Sequence, residues 1–233
     1  MLGQVRDFLT ASGAPFEVIV VDDGSTDGTA DLVREFCGAN AAFRLLPTHH
    51  GGKAHALVQG MRIATGRLVL FADMDQAIPI GEVSKLLPWF DEGYDIVVGS
   101  RGLERPEAPI SRRLISLGQL GARYLVLGFS DIVDTQCGFK AFRREVVERL
   151  IDRLVVYHRA RERHAAGPSL SPGFDVELLF AAKAMGLRIK EVPVRCNHRR
   201  GRQAALLREC VRGVSELLAI RAANRDGRYR GGL

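Results

Sequence analysis

Phe16-Glu17-Val18-Ile19-Val20-Val21-Asp22-Asp23-Gly24-Ser25-Thr26-Asp27-Gly28 is the stretch that decides the fold class. Its continuous, β-branched apolar run predicts a strand over Phe16–Val21 that is buried on both faces, since a half-exposed strand would alternate. An acidic, glycine-rich turn closes the strand. A helix over Asp27–Phe36 follows, with Ser25 or Asp27 available to cap it. The same unit recurs downstream: strand Phe43–Leu46 with helix Gly52–Ala64, then strand Arg67–Ala72 with helix Gly81–Phe90, whose end Pro88 limits. Tyr94–Gly99 reads as a fourth strand. Short apolar strands alternating with helices predict an α/β fold, a mostly parallel central sheet flanked by helices.

The second half is less regular. Ile110–Gly128 reads as an amphipathic helix containing Arg112, Arg113 and Arg123. Cys137–Phe142 reads as a strand leading into helix Arg144–Leu150. Val176–Met185 reads as a helix and Leu187–Val194 as a strand. A last helix over about Ala204–Ala223 carries an apolar stripe of Leu206, Leu207, Val211, Val214 and Leu218 between arginines, with core packing the commoner use of such a stripe. The expected organisation is one domain over 1–200, followed by a basic amphipathic helix and tail over 201–233.

With 233 residues, 46% of them hydrophobic and 26% charged, the chain can bury a sizeable core, and disorder is excluded as its main state. No apolar run approaches the roughly 18 residues of a membrane span, and no secretory signal opens the chain. Four separated cysteines without a Cys-x-x-Cys pair exclude a zinc ribbon and predict reduced thiols, hence a cytoplasmic setting. The net charge of +6 is uneven: Arg188 to Leu233 holds 12 Lys/Arg against 4 Asp/Glu. That basic end suits phosphates or an anionic membrane surface. No helix-turn-helix, zinc-finger or RNA-binding signature supports nucleic acid.

Two acidic clusters fall at strand ends, the place where parallel α/β sheets bind ligands. The first is Asp22-Asp23-Gly24-Ser25, which turn and cap chemistry explains in part. The second, Asp73-Met74-Asp75 after Leu68-Val69-Leu70-Phe71-Ala72, has no glycine, so a turn does not account for it. Two carboxylates one residue apart at a strand end can share a hard cation such as Mg²⁺ or Mn²⁺, with substrate phosphates completing the shell. Gly51-Gly52-Lys53 opens a helix without a Walker pattern, and its N–H groups and Lys53 suit a diphosphate. There is no dinucleotide-binding glycine motif and no nucleophilic serine motif.

Together, Glu17–Thr29 (EVIVVDDGSTDGT), Gly52-Lys53 with Gly60-Met61, the DMD at 73–75 and Val97–Arg101 (VVGSR) resemble the family 2 glycosyltransferases. Asp134–Lys140 (DTQCGFK), Phe174–Leu178 (FDVEL) and Glu191–Val194 (EVPV) narrow the resemblance to the dolichyl-phosphate β-glucosyltransferase branch, over roughly residues 15–200. It implies a GT-A fold and an inverting transfer of glucose, or a similar hexose, from a UDP-sugar to a dolichyl or polyprenyl phosphate. Asp22, Asp23 and Ser25 would lie by the nucleoside, Lys53 and Asp73 by the donor diphosphate, and Asp73 and Asp75 on the metal. Asp175 would be the acceptor-side carboxylate, and Arg101, Arg112, Arg113 and Gln136 would hold the acceptor phosphate.

Two chemistries remain open for Asp175. A hydroxyl acceptor needs a general base. A phosphate monoester, largely dianionic at neutral pH, does not, and arginines then matter more. The resemblance also leaves open a GDP-mannose donor, a polysaccharide acceptor and a non-catalytic remnant. The family begins with a strand ahead of its first helix, whereas Met1 here opens directly on the helix expected at Leu2–Ser12. His50 and Ala54 stand where relatives have asparagine and glycine, and Cys196–Arg202 (CNHRRGR) is more basic than its counterpart. The expected location is the cytoplasmic face of a membrane, held by Ile110–Gly128 and the basic end.

Overall fold

In the computed structural model, residues 1–102, 110–128, 131–163, 173–197 and 206–229 are described, without the side chains of 110–117, 119, 161–163 and 206–212. The order is α1 (Leu2–Ala11), β1 (Val18–Asp22), α2 (Thr29–Gly38), β2 (Phe43–Pro47), α3 (Lys53–Ile63) and β3 (Leu68–Ala72). A single 3₁₀ turn, Ile80–Glu82, leads to α4 (Val83–Leu86), α5 (Pro88–Asp91) and β4 (Ile96–Ser100). Then come α6 (Ile110–Leu127), β5 (Phe139–Arg143), α7 (Arg144–Asp152), α8 (Val155–Arg163), α9 (Phe174–Ala184), β6 (Ile189–Pro193) and α10 (Leu206–Arg225).

β1 and β2 pair in parallel, and the other four strands form a sheet in the order β3-β5-β4-β6. In that sheet β5 runs antiparallel to β3 and β4, while β6 is parallel to β4. Three strands therefore run one way and β5, entered directly from the loop before it, runs against them. The reversal matters because it brings the start of β5 beside the end of β3: Ala72 pairs with Phe139.

Both faces of the larger sheet are covered at β4, and β3 and β4 accordingly carry no charged residue. On β4, Ile96 and Val98 face the main core with α3, α7 and α9, while Val97 faces a second core with Leu86 and Phe90. Every residue of β4 is buried. β1 and β3 are tied at their beginnings by Glu17, whose carboxylate accepts from the N–H groups of Thr65 and Gly66 and pairs with Arg44.

Several expectations need correction. The Gly81–Phe90 helix is broken into short pieces, because Pro88 clashes with a continuing helix and starts a new turn instead. The residue at the start of α2 is Gly28 with a φ of 82°, and Asp27 still accepts from the Thr29 N–H at 3.1 Å. α8 was not expected: past Tyr157 its sequence is Arg- and Glu-rich, so it shows no apolar period. Among the described side chains of α10 the buried ones are Leu217, Ile220 and Ala223, while Val214 and Leu218 of the expected stripe are exposed; those of Leu206, Leu207 and Val211 lie outside the described residues. α10 is thus part of the main core. No described helix is long and apolar enough to cross a membrane.

Candidate functional site

The loops after β1, β2 and β3 converge on the N-terminus of α3. At the end of β1 the Asp22 carboxylate accepts from the Ser25 N–H at 3.3 Å, and its carbonyl accepts from the Thr48 N–H at 2.8 Å. Asp23 reaches further. Its two oxygens accept from the N–H groups of Gly51 and Gly52, each at 2.8 Å, and His50 Nδ1 lies 3.0 Å from Oδ2. The amides expected to face a diphosphate are therefore engaged by this carboxylate, which complements the positive end of the helix. Gly24 has a φ of 79° and packs its backbone on His50, a place where a side chain would crowd.

Lys53, the first residue of α3, points across to the end of β3, where its Nζ lies 2.7 Å from Asp73 Oδ1. Both side chains are nearly half exposed. Asp75, two residues on, is also exposed and caps the Ala77 N–H at 3.0 Å. Between them and the turn, Gln76 holds a φ of 48° and donates to the Met1 carbonyl. A non-glycine residue in that region costs energy that its surroundings must supply. Among the described residues no group of three or more His, Cys, Asp and Glu gathers to hold a metal. Two exposed carboxylates are nonetheless a donor set that suits Mg²⁺ or Mn²⁺ when substrate oxygens complete the shell.

The loop before β5 is held by Arg101, Glu191 and Arg123. Arg101 Nε and an Nη donate to the two oxygens of Asp134 at 2.7 and 2.8 Å, and the Arg101 N–H adds a third bond. Burial pushes the Arg101 pKa down, but the Asp134 pair outweighs it and holds the guanidinium above its usual range. Glu191 on β6 accepts from the N–H groups of Val133 and Asp134. Buried Arg123 donates to Thr135 Oγ1 and the Ile132 carbonyl, and burial lowers its pKa. Cys137, also buried, has its thiol pushed up to about 11 by burial. Within 134–140 only Gln136 is exposed.

Lys140 on β5 is the residue that sequence reasoning missed. Its side chain is fully buried over the Phe71 ring, with Nζ donating to Asp175 Oδ1 at 2.6 Å and to the Cys137 carbonyl at 2.5 Å. The available signal was a lysine inside the apolar strand Cys137–Phe142, since a buried charge needs a partner. Asp175 occupies the first turn of α9. Gly138, two residues before Lys140, packs so tightly on Asp73 that a Cβ there would overlap the carboxylate. The start of β5 therefore joins the two carboxylates expected on opposite sides of the chemistry.

Asp22, Asp23, Ser25, Lys53, Asp73 and Asp75 thus share one end of the fold, and Asp175, Arg101 and Gln136 join them through the β5 loop. Arg112 and Arg113 fall near the beginning of α6, but their side chains lie outside the described residues, as do residues 198–202 of the basic stretch after β6.

The family model described as "Glycosyl transferase family 2" matches residues 2–151. The dolichyl-phosphate beta-glucosyltransferase of Saccharomyces cerevisiae is 31% identical, over 99% of this chain and 72% of that protein. The Drosophila melanogaster protein of the same description is 36% identical over 84% of this chain and 61% of its own length. The chain thus spans about two thirds of these relatives. Among solved structures, mannosyl-3-phosphoglycerate synthase from Rubrobacter xylanophilus superposes with a TM-score of 0.61 at 15% identity, over 98% of this chain and 70% of that one. That likeness supports the GT-A fold alone.

Proposed function

The chain belongs to glycosyl transferase family 2, and on that premise we propose that it moves glucose, or a similar hexose, from a UDP-sugar to a dolichyl or polyprenyl phosphate with inversion. The observation that carries the reading is the start of β5, where Gly138 packs on Asp73 and Lys140 grips Asp175. A donor held at Asp73 and an acceptor held near Asp175 would be fixed by one rigid strand, which is what an in-line displacement needs.

Asp22, Asp23 and Ser25 would contact the nucleoside. Lys53 would stand beside the donor diphosphate and offset the charge that grows on it as the anomeric bond breaks. Asp73 and Asp75 would hold a Mg²⁺ or Mn²⁺ ion, which when bound supplies Lewis-acid stabilisation of the same leaving group. The acceptor phosphate, already an anion, needs no proton removed before it attacks the anomeric carbon. Gln136, Arg101, Arg112 and Arg113 would hold it, with Arg101 kept in place by Asp134. Asp175 has its Oδ1 on Lys140, so its role here is orientation of the acceptor rather than proton abstraction.

A peripheral contact with the cytoplasmic face of a membrane completes the reading. Its support is the exposed Tyr124 and Leu125 at the end of α6 and the exposed Val214 and Leu218 on α10, beside Arg221 and Arg225. Sedimentation with anionic liposomes at low salt tests it, and absence of co-sedimentation removes the membrane from the proposal.

The deciding experiment is calorimetric titration of UDP-glucose, UDP and GDP with and without Mn²⁺, followed by transfer to dolichyl phosphate. Metal-dependent UDP binding that Asp75→Ala abolishes supports the donor site. GDP winning the competition would replace the donor. A folded protein that binds neither nucleotide would overturn the enzymatic reading.

A further inference from the structure

The C-terminal end of α10 turns back into the molecule. Gly227, at a φ of 72°, receives the helix end: the Arg228 N–H bonds the Ala223 carbonyl at 3.1 Å and the Gly227 N–H bonds the Asn224 carbonyl at 3.0 Å. This is the six-to-one and five-to-two pattern that terminates a helix and reverses the chain. The reversal delivers Tyr229 beneath α10, where its ring is 1% exposed and meets Phe180 of α9 edge to face.

There the Tyr229 hydroxyl donates to Glu177 Oε1 at 2.7 Å. Glu177 lies in the opening turns of α9 and is 1% exposed. It also accepts from the N–H groups of Val156 and Tyr157 at 2.6 and 2.9 Å, at the beginning of α8. Burial is the main influence on its pKa, which is raised. A second hold comes from the same helix: the Gly173 N–H, at the start of α9, donates to Glu216 Oε2. Gly173 has no room for a side chain, because a Cβ would stand 2.6 Å from that oxygen. Glu216 of α10 and Tyr229 of the turn that follows it therefore grip α9 on both sides of Asp175, at residue 173 and at residue 177.

We propose that the C-terminal helix is a positioning element of the acceptor side: Tyr229 and Glu216 fix the backbone turn that carries Asp175. The inference rests on reading Asp175 as an acceptor-side residue. Neither Tyr229 nor Glu216 has a role in contact with substrate. They act through the first turn of α9, and Lys140 then receives the carboxylate from the opposite side. The chemistry matches the task, since a buried carboxylate that accepts three donors has one geometry in which all are satisfied.

The test is Tyr229→Phe in the full chain, which keeps the ring and deletes only the hydroxyl. Glu216→Leu, which cuts the other hold and leaves Tyr229 in place, is the second variant. Amide hydrogen exchange is the first readout. Exchange over 174–178 should rise about tenfold in either variant while β4 and β5 stay at wild-type rates, as local opening predicts. Steady-state transfer from UDP-glucose is the second: kcat should fall about tenfold and the donor KM should stay within twofold, as expected when only acceptor alignment is lost. A merely stabilising contact would speed exchange throughout the fold and leave kcat unchanged, and that result overturns the proposal. So does faster exchange at 174–178 with wild-type kcat. If the wild-type chain transfers nothing, the glycosyl-transfer reading fails, and the hold on α9 is then judged by exchange alone: a rise confined to 174–178 sustains it, and no rise refutes it.

Discussion

Replacing Lys140 by Met leaves the Asp175 carboxylate without its cation and the Cys137 carbonyl without its donor. Lys140 is fully buried, whereas the Asp175 side chain keeps 15% of its exposure. Removing one member of a buried ion pair costs about 3–5 kcal/mol. The residual contact of Asp175 with water puts this case at the low end, about 3 kcal/mol, or roughly a hundredfold in the folding equilibrium. For a chain of this size that corresponds to a fall in Tm of about 6–12 °C. Urea unfolding followed through Trp89, the single tryptophan, measures it directly, because that ring packs with Tyr94 in the second core. The control is the double variant Lys140→Met/Asp175→Asn, in which no charge is stranded. It should recover about 2 kcal/mol of the loss, since coupling between contacting groups reaches that size. A single variant that costs less than about 1 kcal/mol, or a double variant as unstable as the single, would refute the reasoning that the pair is a mutual neutralisation. The same logic warns that Asp175→Asn strands the Lys140 ammonium, so its kinetic effect is interpretable only beside its unfolding curve.

Gly138→Ala should abolish the nucleotide and metal binding proposed for Asp73 with the fold retained, because the added methyl displaces that carboxylate; calorimetry and far-UV circular dichroism together check this. Glu17 responds to acid. Burial raises its pKa, but the bonds from Thr65 and Gly66 and the Arg44 charge outweigh this and leave it lowered. Its contribution is therefore present above the ordinary value near 4.5 and lost as pH falls through the lowered one; Glu17→Gln should be less stable than wild type at pH 7, with the gap closing towards pH 3 in urea titrations. A thiol reagent at pH 8 should leave Cys137 unmodified in the native protein, since burial both shields it and raises its pKa to about 11, and labelling before and after urea distinguishes it by mass spectrometry. Gly227→Ala should cost about 1 kcal/mol, the penalty of a left-handed backbone for a residue with a Cβ, read from the urea midpoint.

The local part of the fold was legible because strand and helix periods are written in neighbouring residues. The apolar runs ending in Asp22 and Ala72 gave β1 and β3, and their carboxylates followed at the strand ends. α8 was not legible, because past Tyr157 its sequence is Arg- and Glu-rich and shows no apolar period. The face of α10 was misread for a related reason: Val214 and Leu218 are as apolar as Leu217 and Ile220, and composition does not reveal which stripe meets the core. The site was legible as a set of residue types but not as a set of contacts. Asp23 turned out to hold Gly51 and Gly52, and Arg101 to hold Asp134, partnerships that span 28 and 33 residues.

By itself, then, the sequence determined the α/β alternation, the acidic strand ends and the family motifs, since each depends on interactions within a dozen residues. Only the tertiary structure decided that β5 runs against its neighbours, that Gly138 and Lys140 link Asp73 to Asp175, and that Tyr229 returns to Glu177. Those pairings join residues 35 to 75 positions apart, and buried charges and hydroxyls find such partners through the packing of whole elements rather than through any local pattern.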